Sequence, residues 1–259
     1  MKIEDLEIKF EQQNLVFEKI LTKLTTNNKD VLFPISNKIL RRFSSNMSLI
    51  FISMIDNGKD CNLYPSMILY RALIEHFFKA YYIFEKTLYN TNDEVAEGFE
   101  KHYLISEFLA EKAGILDMED LQKDKLNKTD FIQFLVTKFP EFKGFDKENQ
   151  KEISAVIKQF NLKEIIKHFY KLHKDKPNSD VISQMIPEYS KVSTFTHGGM
   201  YANSLMDTFS EKDLTKNELE RIIEISLISI MVIKESIILT YKPDEETLEY
   251  FKEISKFRQ

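Results

Sequence analysis

The stretch from Met67 to Leu88 places the strongest constraint on how this chain can fold. Drawn as a helix, it is apolar on nearly every side, through Met67, Ile68, Leu69, Ala72, Leu73, Ile74, Phe77, Phe78, Ala80, Ile83 and Phe84. Such a helix belongs in the middle of a protein, because any exposed side would present apolar surface to water. Pro65 stands where it would begin, since the first turn does not need the missing amide hydrogen. We therefore predict a central buried helix over about residues 66–88.

The rest of the chain also favours long helices. Six glycines and six prolines in 259 residues are few turn-forming residues for this length. Apolar residues recur every three or four positions over Ile3–Leu24 and over Ile35–Ile55, which indicates two amphipathic helices. A capping box, Thr215-x-x-Glu218, predicts a long C-terminal helix over about residues 216–241. The predicted fold class is all-α, a multi-helix bundle around the central helix.

Domain organisation has two interpretations at this length, because 259 residues lie close to the upper limit for one hydrophobic core. The chain is either one all-helical domain over residues 1–259 or a helical core with residues 115–175 as a smaller lobe. Residues 115–128 are highly charged and resemble a connection.

Local signals set further helix boundaries. Gly58 suits a left-handed cap at the end of the second helix. A second capping box, Thr91-x-x-Glu94, predicts a helix that runs to about Ala113. Pro187 predicts a kink or a new helix start, because proline cannot donate an interior backbone hydrogen bond.

Charge and cysteine content exclude some classes of protein. The net charge of −5 and pI near 5.7 argue against bulk binding of nucleic acid, which requires a surplus of lysine and arginine. A local RNA site remains compatible with this charge. Cys61 is the only cysteine, so no internal disulfide can form, and a cytoplasmic location is expected.

The most apolar long stretch, Ile222–Tyr241, is a candidate membrane span. Glu224, Lys234 and Glu235 interrupt it, whereas a bilayer requires about 20 consecutive apolar residues. We predict a buried core helix here and no membrane partner.

Motifs for metals and common cofactors are missing from the sequence. It contains no C-x-x-C or H-E-x-x-H pattern, no Walker A or G-x-G-x-x-G loop, and no G-x-S-x-G nucleophile turn. The sequence therefore predicts neither a metal site nor a cofactor.

Charged residues nevertheless recur within the central apolar helix. Arg71, Glu75 and Lys79 follow one another at four-residue spacing and therefore share one helix face. Unpaired buried charge is costly, so Arg71 and Glu75 are expected to pair with each other or with a third group. They either line a shared polar pocket or form an internal salt bridge that fixes two helices in register.

A second candidate site lies much later in the chain. His197 directly precedes the chain's only Gly-Gly pair, Gly198-Gly199, and follows Ser193 and Thr196. Histidine has the side-chain pKa closest to neutral, and adjacent glycines leave room for a ligand to approach. His197 is thus a candidate for proton transfer; alternatively, it caps the end of its own helix.

Two motifs together carry a resemblance: Tyr70-Arg71-x-x-x-Glu75 and Tyr189-x-x-x-Ser193-x-x-x-His197-Gly198. The pairing resembles a bacterial family of helical domains of unknown function and is distantly similar to the HEPN superfamily. The resemblance covers about residues 36–241 by element order. Arg71-x-x-x-x-His76 also matches the HEPN ribonuclease spacing. Five helical steps, however, put these two side chains about 140° apart around the helix, so they cannot converge on one phosphate.

The HEPN resemblance implies a helical bundle, often dimeric, that cleaves RNA without metal in a toxin or phage-defence role. His197 would then act as general acid and base. Lys191 stands six residues before it, where the superfamily has arginine, so Arg71 is an alternative cation, with Ser193 as a hydrogen-bonding neighbour. The alternative function is non-catalytic: the domain binds a small ligand, a nucleotide or a partner protein, and Arg71, Glu75 and His197 form an internal polar network.

Overall fold

A computed structural model describes residues 1–103, 150–173, 181–196, 200–209 and 212–258. Within those ranges the chain is all-α, as predicted, and its extended pairing is limited to an isolated bridge between Val31 and Tyr241. The α-helices are α1 (Ile3–Thr26), α2 (Pro34–Lys59), α3 (Leu63–Asn90), α4 (Glu94–Gly98), α5 (Gln150–Gln159), α6 (Leu162–His173), α7 (Val181–Thr196), α8 (Met200–Thr208), α9 (Lys212–Ile238) and α10 (Glu245–Ser255).

The chain divides into two compact units. The larger unit comprises Met1–Asp93 and Ile166–Gln259, and the smaller unit is Glu94–Ile165. In the smaller unit a π-helical turn, Phe99–Tyr103, continues α4. The ring of Phe99 meets that of Phe160 edge to face at 5.2 Å, which forms a small aromatic core.

The predicted central helix is α3, which packs against α2, α7 and α9 in the larger unit. Its residues Tyr70, Phe77 and Phe78 are completely buried. The ring of Phe78 lies 5.8 Å from that of Phe169 on α6, so aromatic packing surrounds the helix on more than one side. This burial explains why a sequence with so few polar positions forms a stable helix here.

The long C-terminal helix, α9, is the second organising element. Every residue from Ser229 to Ile238 is buried, including Lys234 and Glu235. Among the described residues, no helix combines the length and apolar character needed to cross a membrane. The apolar half of α9 instead packs against α1, α2 and α3.

Gly58 does not end its helix in the left-handed conformation. It lies inside α2, where a Cβ atom would come within 2.8 Å of Ile223 and 3.0 Å of Ile3. The absence of a side chain therefore lets α1 and α9 approach α2 closely. The left-handed residue follows the helix, at Cys61, with φ of 57°.

Two capping boxes differ from their predicted geometry. α9 begins at Lys212, three residues before Thr215, whose hydroxyl donates to the carbonyl of Phe209. Glu218 does not fold back toward the helix start, because Lys191 and Arg221 bond its carboxylate. Thr91 is itself left-handed, with φ of 54°, and terminates α3.

Two further boundaries concern α4 and α7. α4 ends at Gly98, and residues 104–113 of the predicted helix lie outside the described residues. Pro187 lies within α7, which continues through it from Val181 to Thr196 without a new start.

Candidate functional site

The face of α3 that carries Arg71 and Glu75 contacts α7. Arg71 Nε donates to Glu75 Oε1 over 3.0 Å, and the two side chains are 19% and 30% exposed. The hydroxyl of Tyr189 on α7 lies 3.5 Å from the same carboxylate oxygen, and the Arg71 guanidinium lies 5.9 Å from the Tyr189 ring centre. We name these three residues the Arg71 cluster. The cluster joins Arg71 and Glu75, from the first motif, to Tyr189, which is the first residue of the second motif.

The Tyr189 hydroxyl acts as a hydrogen-bond donor in this cluster. Burial raises its pKa, the Glu75 carboxylate raises it further, and Arg71 partly opposes both. Tyr189 therefore stays protonated at neutral pH and can donate to Glu75. Glu75 thus receives hydrogen bonds from two helices.

The C-terminal end of α7 is attached to the beginning of α3. Tyr64 Oη donates to the carbonyl of Phe195 over 2.8 Å, and their rings meet edge to face at 5.6 Å. Since Tyr189 contacts residues further along α3, the two helices run antiparallel. Phe195 is fully buried, so this contact fixes the chain two residues before His197.

A second group of ionic side chains joins α7 to α9. Lys191 Nζ lies 2.7 Å from Glu218, and Arg221 bonds Glu218 through Nε and Nη2 over 2.8 and 2.7 Å. Arg221 Nη2 also donates to Glu188 over 2.8 Å. We name these four residues the Glu218 network. The charges of its two carboxylates and its two cationic side chains cancel.

Glu218 is the most buried member of the network, with its side chain 9% exposed. Burial alone would raise its pKa, but hydrogen bonds from Arg221 and Lys191 outweigh burial and lower the pKa below its ordinary value. The carboxylate is therefore ionised at neutral pH. Lys191 follows Tyr189 by two residues, or about 200° around α7, so it faces a different side of the helix from the Arg71 cluster.

Tyr70 lies close to the Glu218 network. Its side chain is completely buried, and its hydroxyl has no hydrogen-bond partner among the residues that the structure describes. Burial raises the pKa of Tyr70, and the nearby Glu188 and Glu218 carboxylates raise it further, while Arg221 lowers it. The hydroxyl is therefore neutral and pays a desolvation penalty.

Tyr70→Phe is expected to raise the free energy of unfolding by about 1 kcal/mol, because it removes an unsatisfied buried hydroxyl and keeps the ring. Urea unfolding at neutral pH measures this change, with Tyr89→Phe, at an 83% exposed position, as the matched control. A loss of stability in Tyr70→Phe alone would contradict the expectation and would mean that the hydroxyl has a partner beyond the described residues.

The family of unknown function DUF5677 matches residues 30–215, which include both motifs. This chain belongs to the DUF5677 family. No curated protein matches the chain, and no solved structure matches it.

The DUF5677 match contains all five predicted site residues, but the structure does not bring all of the described ones together. Arg71 and Glu75 are paired, and Ser193 lies one turn beyond Tyr189, with its hydroxyl donating to the carbonyl of Ser190 over 3.0 Å. Lys191 joins the Glu218 network instead. His197 lies outside the described residues, as do Gly198 and Gly199.

The sequence did not predict Glu188, Glu218 and Arg221 as site residues, and the last two lie beyond residue 215, where the DUF5677 match ends. Glu218 and Arg221 stand three residues apart on one helix, a spacing that brings opposite charges together. Glu188 directly precedes the second motif, and its partner Arg221 lies 33 residues further along the chain. Within the described ranges, no group of three or more histidine, cysteine or carboxylate side chains is arranged to bind a metal ion.

Proposed function

We propose that this DUF5677 protein is a HEPN-like endoribonuclease that cleaves RNA without a metal ion, in a toxin or phage-defence role. The observation that carries the proposal is the contact between Tyr189 and Glu75, which joins the two motifs that resemble the HEPN superfamily. A homodimer is part of the proposal, and the RNA would bind at a local site.

In this reaction His197 takes the proton from a ribose 2′-hydroxyl while the 2′-oxygen attacks the adjacent phosphorus. The bond from phosphorus to the 5′-oxygen breaks, and that oxygen receives a proton from the imidazolium. The products are a 2′,3′-cyclic phosphate and a free 5′-hydroxyl. A histidine suits both steps because its pKa lies near neutral.

Arg71 is the cation that we assign to the phosphate. A guanidinium carries five N–H donors, and the contact with Glu75 uses Nε, so others can face an anion. Glu75 and Tyr189 would hold the guanidinium in place. Lys191 is the weaker candidate, because its ammonium is a point charge that lacks the planar set of donors of arginine, and Glu218 already binds it at 2.7 Å.

The test is incubation of the purified protein with RNA in the presence of a chelator. We expect cleavage that leaves 2′,3′-cyclic phosphate ends, because the attacking group is the 2′-hydroxyl. His197→Ala should reduce the rate at least 100-fold, and Arg71→Gln should reduce it by a comparable factor, as for other lost acid–base and charge-stabilising groups.

Arg42→Gln is the matched control, since Arg42 is an exposed arginine on α2 and its loss should leave the rate unchanged. Cleavage that persists in His197→Ala, or that appears only when a divalent metal is supplied, would refute the ribonuclease proposal.

The second candidate is a non-catalytic domain that binds a small ligand, a nucleotide or a partner protein. It is favoured by the internal balance of the Arg71 cluster, in which Glu75 already satisfies the arginine charge. Under this function Arg71→Gln and His197→Ala would lower the melting temperature, and no RNA would be cleaved by the unaltered protein.

A further inference from the structure

A cavity of about 470 Å³ lies between α1, α2 and α9, in the larger unit. None of the residues assigned to the ribonuclease site lines it. The volume falls in the range of pockets that hold small organic molecules. Glu18 and Ser45 at its edge are exposed, so the cavity opens to solvent on that side.

The first unusual feature of the cavity is Lys234. This lysine is only 2% exposed, and its ammonium donates to Asn14 Oδ1 from α1. It lies 5.5 and 5.3 Å from the ring centres of Phe10 and Phe17. Within the described part of the chain, no carboxylate forms an ion pair with it. A buried ammonium without a paired anion is costly.

Arg41 is the second cation that lines the cavity, from α2. Its Nη2 donates to the hydroxyl of Tyr241 over 2.5 Å. Its Nε is buried and has no hydrogen-bond partner among the described residues. The guanidinium thus has donor capacity beyond what the protein itself satisfies. Two cations from two helices therefore face one cavity.

The remaining lining adds hydroxyl donors and an apolar wall. Ser44 and Ser48 lie one turn apart on α2, beside Arg41. Phe17 and Leu21 contribute the apolar side from α1. Arginine, lysine and serine together are typical of phosphate binding, and the apolar wall would contact an organic group.

We propose that this cavity binds a small organic phosphate, whose phosphate contacts Lys234 and Arg41 and whose apolar part lies against Phe17 and Leu21. An inorganic phosphate would leave most of the volume unfilled. The proposal is independent of the ribonuclease proposal, since the two sites share no residue and either can fail alone.

The state of Lys234 provides a specific signature of binding. Burial lowers its pKa to about 7, and Glu18 at the edge raises it slightly. Glu18 from α1 and Arg41 from α2 are the other charged side chains that line the cavity. A phosphate beside Lys234 would favour the ammonium form and raise its pKa. Binding at about pH 8, where a phosphate monoester is already dianionic, should therefore be accompanied by uptake of close to one proton.

The experiment is calorimetric titration of the full chain with phenyl phosphate, repeated in buffers of different ionisation enthalpy, with phenol as the uncharged comparison. We expect binding of phenyl phosphate with proton uptake, and much weaker binding of phenol. Lys234→Met should weaken binding at least about ten-fold and abolish the proton uptake. Arg41→Gln should weaken binding as well.

Arg42→Gln is the matched control for Arg41→Gln, because the two arginines are adjacent in sequence and Arg42 is exposed and does not line the cavity. It should bind phenyl phosphate like the unaltered protein. Absence of binding, equal binding of phenol, or equal weakening by the Arg41 and Arg42 variants would overturn the proposal. Lys234→Met keeps the test decisive if Arg41→Gln does not fold.

Discussion

Lys234→Met should make the protein more stable at pH 7, by about 4 kcal/mol in the free energy of unfolding. The pKa of Lys234 falls from 10.5 to about 7 in the folded protein because the side chain is buried. At about 1.4 kcal/mol for each pKa unit, this difference is a cost of about 5 kcal/mol for the fully charged side chain, and of about 4 kcal/mol at pH 7, where the folded side chain is about half deprotonated. Methionine has a similar length and no charge, and it can pack against the rings of Phe10 and Phe17.

The stabilisation should depend on pH in a defined direction. Between pH 7 and 10.5 the unfolded chain keeps a proton that folded Lys234 has lost, so the stability of the unaltered protein rises with pH. The advantage of Lys234→Met is therefore largest at about pH 7 and below, and it shrinks toward about pH 10. Urea unfolding across this range measures it. Lys242→Met, at a lysine side chain that is 64% exposed, should change stability by less than about 0.5 kcal/mol.

A Lys234→Met variant that is less stable than the unaltered protein at pH 7 would contradict this account of the buried ammonium. It would mean that the hydrogen bond to Asn14 and the contacts with the two rings outweigh the cost of burial. A stable variant that no longer binds phenyl phosphate would show that stability is given up at this position for ligand binding.

Arg221→Gln should have the second largest effect and should lower the free energy of unfolding by about 2 kcal/mol. Arg221 contacts two carboxylates, Glu218 and Glu188, and without it Lys191 alone opposes their charge. Breaking a buried ion pair costs about 3–5 kcal/mol, and we place this one lower because the arginine side chain is 38% exposed.

The loss of stability in Arg221→Gln should also depend on pH. The pKa of Glu218 is lowered in the folded protein, so its contribution to stability is fully present above its unfolded pKa and is lost as the pH falls through the folded pKa. The difference between Arg221→Gln and the unaltered protein should therefore be smaller at about pH 4 than at pH 7. Urea unfolding at both values, with Arg42→Gln as control, checks this. A difference that grows on acidification would count against the network.

Local patterns predicted the parts of the fold that depend on neighbouring residues. The apolar surface of α3 follows from its own sequence, so its central position could be inferred. Arg71 and Glu75 are one turn apart, and their pairing follows from helix geometry alone. We expected the two motifs to lie close together only because of a resemblance. The structure shows one contact between them, from Tyr189 to Glu75.

Contacts between distant helices were beyond sequence reasoning. Glu218 matched a capping box with Thr215, but its carboxylate bonds Lys191 on α7, 27 residues away. Lys234 was interpreted only as an interruption of an apolar stretch, whereas its partner Asn14 is 220 residues distant. Such pairs depend on the register between helices, which is set by the whole core and has no local signature.

The contact of α9 with α2 and α3 limits where this chain can be shortened. The DUF5677 match begins after α1 and stops at residue 215, only four residues into α9. A fragment with those ends would lack α1 and most of α9. It would expose the apolar side chains of α2 and α3 that pack against α9, including Met54, whose sulfur accepts a hydrogen bond from Ser226. We therefore expect that residues 30–215 do not fold by themselves, and biochemical work on this chain should retain both α1 and α9.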